Sequence, residues 1–261
     1  VLSAIQEARE QTEHVIEAAR ELKRSLMHYL FTYGPVPVAE AENVALKETE
    51  IGMVPEGWEI KKISDCYKFT KKPRKLSLKN KVPFITMNDI KEDSYYIKTF
   101  DIVDKNKIKS GTFVRNNDLL IAKITPSFEN GKQGIVDIDK KYGYATTEVW
   151  PLHEISNNKI GTLYYYIKIS NIRRELANKM EGTTGRQRLP KNVLSNLLMP
   201  FPKEKQQINM LNYMYFIENK INNEISKKQA LDSLFKSMLE QLMTGALRVN
   251  DLEVDQCSTQ A

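Results

Sequence analysis

From Leu2 to about Phe31 the apolar residues recur at alternating steps of three and four: Leu2, Ile5, Ala8, Val15, Ala19, Leu22, Leu26 and Tyr29, with Thr12 filling one slot. This spacing draws one stripe along a helix, the heptad seam of a coiled coil. The opposite face carries Glu7, Arg9, Glu10, Glu13, Glu17, Arg20, Glu21, Lys23 and Arg24. A second stripe, Ile217, Ile221, Ile225, Leu231, Phe235, Met238 and Leu242, broken by Lys228, predicts another helix from near Lys205 to about Met243. Gly34-Pro35 stops the first helix and Gly245 caps the second. Either helix alone is marginal in water. The two seams are therefore expected to pack on each other, within one chain, between two chains, or both. "LKRSLMHYLFTYG" (22–34) and "LFKSMLEQLMTG" (234–245) are also near-copies, aligning Leu22 with Leu234, Ser25 with Ser237, Leu30 with Leu242, Thr32 with Thr244 and Gly34 with Gly245. Solenoid repeats recur every ~20–50 residues. This spacing is far longer and fits a helix that recurs once per large module.

Between the helices the period falls to two. "WEIKKI", "PFITM", "DLLIAKI", "GIVDI" and "TTEVWPL" read as short strands. Turn signals at Asn116-Asn117-Asp118, Glu129-Asn130-Gly131 and Tyr142-Gly143 separate them. One amphipathic helix is expected from about Asn158 to Lys179, then a Gly-rich loop "EGTTGRQR", a short helix at Lys191–Leu197 and an exit at "MPFP". The expected fold class is an α/β (α+β) globular domain flanked by two long helices that pair as an antiparallel coiled coil. The divisions are 1–33 for the first helix, 34–57 for a Pro-, Ala- and Glu-rich linker, 58–202 for the globule, 203–246 for the second helix and 247–261 for a tail.

Bulk properties narrow the class only slightly. The 261 residues are 41% hydrophobic, enough to bury a core, and no apolar run approaches the ~20 residues of a membrane span. Cys66 and Cys257 lie far apart, so no disulfide is expected and a reducing cytoplasm fits. Val1 already lies inside the helical pattern, so the chain reads as a fragment or an edited version of a longer protein. The net charge of +6 favours an anionic partner, though many proteins carry as much for solubility.

The motifs of a catalyst are missing. Gly131-Lys132 lacks the upstream Gly of a P-loop, and no GxGxxG follows a strand. No Pro-Pro-aromatic loop of an amino-methyltransferase occurs. His14, His28 and His153 are scattered, whereas zinc sites need three or four ligands at set spacing. One catalytic alternative is a metal-dependent nuclease using Asp118, Asp139 and Lys141. A coiled-coil scaffold that binds only protein is the other rival.

Positive charge concentrates at 61–81, where Lys61, Lys62, Lys68, Lys71, Lys72, Arg74, Lys75, Lys79 and Lys81 face a lone Asp65. Such a run is also the ordinary makeup of a solvated loop. Two polar loops shift the balance: "KITPSFENGK", with Lys123, Thr125, Ser127, Asn130 and Lys132, and "EGTTGRQR", with Thr183, Thr184, Arg186, Gln187 and Arg188. Thr86 and Asn88 of "PFITMNDI" complete the candidate set. Arg pairs with guanine, Asn or Gln with adenine, and hydroxyls with either, while lysines neutralise phosphates. Together these loops point to duplex DNA.

The order of "GWEIKKISD", "PFITMNDI", "DLLIAKITPSFENGK", "YGYATTEVWPL" and "EGTTGRQRLPKNVLSNLLMPFPKEKQQ" resembles the target recognition domain of type I restriction–modification specificity (S) subunits. The closing "LFKSMLEQLMTGALRV" is similar to that family's conserved-region helix, and "LFTYGPVPV…ETEIGMVPEGWE" to its central junction. One departure is Glu204-Lys205-Gln206-Gln207, where the family's usual ending is Glu-Gln. The resemblance explains the near-repeat: family members carry two recognition domains, each followed by one copy of the helix. This chain then reads as helix, second recognition domain, helix, either the C-terminal half of a subunit or a half-length version that forms a homodimer. It implies a non-catalytic cytoplasmic subunit that binds one half of a split double-stranded DNA target. It also implies methyltransferase (M) subunits, which use S-adenosylmethionine to methylate adenine, and restriction (R) subunits, which use ATP and cut DNA with Mg on their side. No cofactor is expected on this chain. A helix of ~36 residues spans about 54 Å, longer than the ~34–36 Å of one DNA turn, so the rod can set the spacing between half-sites.

Overall fold

The computed structural model describes residues 1–74, 80–156, 158–183 and 185–245. The long stripes become helix α1 (Leu2–Tyr33) and, at the far end, a helix of 40 residues. Between them run β1 (Leu46–Thr49), β2 (Gly52–Pro55), β3 (Glu59–Lys62), α2 (Ile63–Cys66), β4 (Tyr67–Phe69), β5 (Lys81–Ile85), β6 (Tyr96–Ile97), β7 (Asp101–Asp104) and β8 (Thr112–Arg115). There follow β9 (Leu119–Ala122), β10 (Gln133–Val136), β11 (Tyr142–Ala145), β12 (Val149–Glu154), α3 (Ile160–Lys168) and α4 (Ser170–Asn178). The chain ends with β13 (Glu181–Thr183), β14 (Arg186–Arg188), α5 (Lys191–Asn196), β15 (Leu198–Phe201) and α6 (Glu204–Met243). Among the described residues two compact units result: a helical one, Val1–Ser25 with Tyr213–Gly245, and a globular one, Leu26–Asn212.

In the helical unit α1 and α6 run antiparallel. Arg9 pairs with Asp232 (2.5 Å), Glu13 with Lys228, and Lys23 with Glu218 (2.6 Å), so one number falls as the other rises. Ile5, Thr12, Ile16 and Ala19 are buried on α1, and Ile221 on α6. Ile217, Ile225, Leu231, Phe235, Met238 and Leu242 are half-buried, as is Leu2. Val15 and Leu22, expected in the seam, are instead 41% and 57% exposed, and the seam passes through Ile16 and Lys23. The physical reason is a choice between two columns. Ile5, Thr12 and Ala19 can be joined either by Ala8, Val15 and Leu22 or by Arg9, Ile16 and Lys23. The second column takes the seam, and Asp232 and Glu218 pair with its basic ends. The apolar stems of Arg9 and Lys23 then cover the seam, and Arg9 lies over the Phe235 ring at 5.2 Å. The buried Thr12 hydroxyl donates to Ala8 O (2.7 Å) and so leaves no orphan. Lys228 occupies the polar seam position expected of it, opposite Glu13.

In the globular unit Gly34, at φ +84°, ends α1, and its N–H donates to Leu30 O (3.1 Å). The stretch expected to be a linker is structured, forming the β1–β2 hairpin with Leu46 opposite Pro55. One sheet has the order β4-β12-β9-β10-β6 and another β7-β5-β11-β8, with β10–β6 and β11–β5 parallel and the remaining pairs antiparallel. Ile85, Ile90, Ile97, Val114, Leu120, Val136, Ile138, Ala145 and Val149 form one buried cluster drawn from both sheets. The single helix expected over 158–179 is two helices, α3 and α4, broken at Ile169, whose backbone is extended (φ −62°, ψ 127°). Ile160–Ile167 is buried on every side, as an all-round apolar helix must be. Gln207, in the stretch that departs from the family pattern, is buried. Its Oε1 accepts from Lys159 N (2.8 Å), and its Nε2 donates to Pro202 O (2.9 Å), tying α6 to the start of α3. No helix among the described residues is long and apolar enough to cross a membrane.

Candidate nucleic-acid interface

The "EGTTGRQR" segment, expected as an open loop, is the β13–β14 hairpin, with Gly182 opposite Gln187 and Thr183 opposite Arg186. Gly182 has φ +131°, and a Cβ there would meet Arg186 O at 2.7 Å, so only glycine fits. The hairpin is joined to the end of β9. Thr125 N donates to Gln187 O (3.1 Å), Gln187 N donates to Thr125 Oγ1 (3.0 Å), and Leu189 N donates to Lys123 O (2.7 Å). Trp150 Nε1 donates to Leu189 O (3.0 Å), fastening the same strand from β12. Two loops some sixty residues apart in sequence thus share one backbone frame.

The loop Thr125–Lys132 is rigid for local reasons. Phe128 is a buried anchor, and Phe128 N, Asn130 N, Gly131 N and Lys132 N donate to Ile124, Pro126, Phe128 and Ser127 carbonyls at 2.9–3.0 Å. Arg173 of α4 supports it from beneath. This guanidinium donates to Phe128 O (2.7 Å) and Gln133 Oε1 (2.6 Å), and it lies 5.1 Å from the Phe128 ring centre. Gln133 Nε2 donates onward to Tyr164 O (2.7 Å). Burial pulls Arg173 down to about 10, so it stays charged at neutral pH. Lys132 Nζ donates to Met87 O (3.2 Å), which brings the Thr86–Asp89 turn against the same loop.

The candidate side chains differ in what they can offer. Asn88, Asn130, Thr183 and Arg186 are exposed; Ser127, Thr125 and Gln187 are half-buried. The Thr86 hydroxyl donates to Asp89 Oδ2 (2.7 Å), and Lys132 is engaged as above, so both act first as loop braces. Lys123 lies 4.3 Å from the Trp150 ring centre, and burial lowers its pKa below the ordinary lysine value. Phe69 meets Trp150 edge-on at 5.5 Å, and Lys191 lies 4.4 Å from the Phe69 ring. Lys71, Lys72 and Arg74 are exposed just after Phe69, with Lys72 5.9 Å from the Tyr144 ring. Lys75, Thr184 and the end of the basic run up to Lys79 lie outside the described residues, as does Cys257. Cys66 is buried, and burial pushes its thiol up to about 11.

Three residues that build this site carried no sequence signal. Arg173 sits in an amphipathic helix, where an arginine reads as solvated. Trp150 and Glu148 were covered by a strand pattern alone. Glu148 accepts from Arg188 Nε (3.2 Å) and Nη2 (2.9 Å). That pairing holds Arg188 above its ordinary pKa. The nuclease alternative loses its anchor here: Asp118 is 1% exposed and its carboxylate accepts from Arg115 N (2.8 Å). Burial pushes that carboxyl up to about 6, the reverse of what a cation ligand requires.

Residues 55–231 match the family described as the type I restriction modification DNA specificity domain, which is well over half of the chain. The chain belongs to the type I restriction–modification DNA specificity family. It is 30% identical over 159 residues to the EcoAI specificity subunit of Escherichia coli, covering 59% of this chain and 27% of that one. It is 24% identical over 247 residues to the MjaVIII specificity subunit of Methanocaldococcus jannaschii, covering 91% and 56%. The chain thus spans about half or less of these specificity subunits. The fold is similar to a solved HsdS subunit from Thermoanaerobacter tengcongensis, with a TM-score of 0.56, 15% identity, and coverage of 94% of this chain and 56% of that one.

Proposed function

We propose that this chain is the reading half of a type I restriction–modification specificity subunit. The globular unit binds duplex DNA in sequence-specific fashion at one half of a bipartite target. The paired helices act as spacer and as docking site for M subunits, and R subunits join through the complex. The chain itself makes and breaks no bonds; S-adenosylmethionine, ATP and Mg act on the partner subunits, in the cytoplasm.

The observation that carries this reading is the joining of three donor-rich segments, Thr86–Asn88, Thr125–Lys132 and Thr183–Arg188, into one braced surface through Thr125, Gln187 and Lys132. Braced backbone and exposed polar tips are what base discrimination asks for, since each good bidentate contact is worth roughly 1–3 kcal/mol only when its geometry is fixed. Lys71, Lys72 and Arg74 supply phosphate affinity that does not depend on sequence.

The test is DNA binding by the chain with its M subunits, followed by fluorescence anisotropy across a range of salt. Arg186→Ala should relax preference at particular base positions. Lys71→Ala with Lys72→Ala should flatten the salt dependence by a slope of about 2. Salt-insensitive binding, or none, would instead support a protein-only scaffold.

A further inference from the structure

Glu148 is a carboxylate of this surface that grips an exposed arginine of the hairpin, where phosphate affinity alone gives it no use. Glu148, in the turn that leads into β12, is tied by its backbone to the end of β9, which in turn meets the chain just after β14. Its carbonyl accepts from Lys123 N (3.0 Å), and Lys123 O accepts from Leu189 N (2.7 Å). Ile124 and Arg188 form a backbone bridge in the same frame. The two side chains therefore start from fixed positions. Glu148 Oε2 accepts from Arg188 Nε at 3.2 Å and Oε1 from Nη2 at 2.9 Å, so the carboxylate takes one whole edge of the guanidinium. Thr147 Oγ1 donates to the same Oε1 at 3.4 Å. The Arg188 side chain is 63% exposed and that of Glu148 25%, so the arginine is the outer member.

Three explanations compete, and chemistry separates them. As a stabilising ion pair the contact is poor, because exposed pairs contribute little. As a phosphate contact it is worse, because the carboxylate cancels the charge that phosphates attract. As an orienting device it works. Of five N–H groups, two are bound to Glu148. Of the remaining three, one on Nη1 and one on Nη2 form the end edge of the guanidinium, outside the carboxylate's grip, and the second Nη1–H lies on the far side. Two parallel N–H groups on one edge match the O6 and N7 acceptors of guanine in the major groove. A phosphate needs no such restraint.

We propose that Glu148 is a positioning residue that locks Arg188 as the reader of one guanine in the target half-site. The inference rests on the DNA-reading function proposed above and adds a base and a pair of residues to it. Glu148 selects against other bases because an arginine held on one edge cannot swing to an alternative acceptor.

The test uses the chain assembled with its M subunits. The half-site is first read from the modified bases in cells that carry the complex. A panel of duplexes then replaces each half-site base pair in turn, and relative Kd is measured at one salt concentration. Arg188→Ala and Glu148→Ala are each expected to flatten preference at the same guanine position by about tenfold or more. The double variant should lose no further preference there. Glu148→Gln, which keeps one acceptor, should fall between. Glu148→Ala should bind unrelated duplex at least as tightly as the parent, because a negative charge has gone. Both single variants should keep the parent's unfolding midpoint, the pair being exposed. Unaltered preference at every position in Glu148→Ala, or flattening at a position other than the one Arg188→Ala affects, would overturn the proposal. A parent complex without preference for any duplex would overturn the DNA-reading function itself, and that failure shows before any variant is made.

Discussion

Arg173 links the core of the globular unit to its candidate reading surface, so Arg173→Met isolates that link. Methionine keeps most of the packed stem and removes the guanidinium. Two buried acceptors, Phe128 O and Gln133 Oε1, then lose donors at 2.7 and 2.6 Å. Hydrogen bonds to a charged group contribute ~1.5–3 kcal/mol each after desolvation. The ring contact with Phe128 adds up to ~1–2 kcal/mol. Relief of the burial that lowers the Arg173 pKa offsets part of this, so the net expected loss is about 3 kcal/mol, a large share of the ~5–15 kcal/mol of a typical domain. The loss should be local first. Urea unfolding reports the global part. Hydrogen exchange at Phe128, Gly131 and Lys132 reports the loop, whose amides are bonded within it. Exchange at these amides should rise at least tenfold while strands β9 and β10 stay protected. An urea midpoint shift worth under ~1 kcal/mol, with loop exchange unchanged, would refute the view that Arg173 braces the loop.

Ile16→Ala should destabilise the helical pair by about 2–4 kcal/mol, whereas Val15→Ala and Leu22→Ala should stay within ~0.5 kcal/mol; thermal melts of the three decide which column is the seam. Asp118 is pushed up from 3.8 to about 6 by burial, so its contribution to stability is fully present below pH ~4 and fades as pH rises through 6. The charged form then costs roughly 2–3 kcal/mol above that pH. Asp118→Asn should therefore flatten the fall in stability between pH 4 and 7, and an unchanged urea midpoint-against-pH curve would count against this. Gly182→Ala should cost about 1–3 kcal/mol and loosen the Thr125–Gln187 contact, read as faster exchange at the Gln187 amide with α6 unaffected.

The helix pair was legible because heptad spacing survives any single exception; its antiparallel sense is read from the Arg9–Asp232 and Lys23–Glu218 pairs. The choice of column was not legible. Apolarity favours Val15 and Leu22, while Asp232 and Glu218, which pair with Arg9 and Lys23 of the column that is used, sit about two hundred residues away. The break at Ile169 was hidden for a similar reason: nothing in the local sequence stops the 158–179 pattern, and tertiary packing sets the extended residue there. In the site, the polar loops announced themselves by composition and glycine content. Their braces did not. Arg173 acts on residues 40 and 45 positions away, and Glu148 acts on Arg188 across 40 positions. Such pairings come from strand register and helix docking, which local patterns do not encode. Lys132 and Thr86 show the converse, since donor-rich residues can be used up within the protein before any ligand arrives.

On the proposed reading the globular unit chooses the bases of one half-site while the partner subunits do the chemistry. Mapping modified adenines across the genome of cells carrying this chain with its M subunits tests it most directly. A two-part motif with an unread spacer is expected, in which Arg186→Ala or Arg188→Ala broadens the part this chain reads, or both parts where two copies of the chain form the unit. A motif that those substitutions leave unchanged in both parts, with modification still efficient, would contradict it.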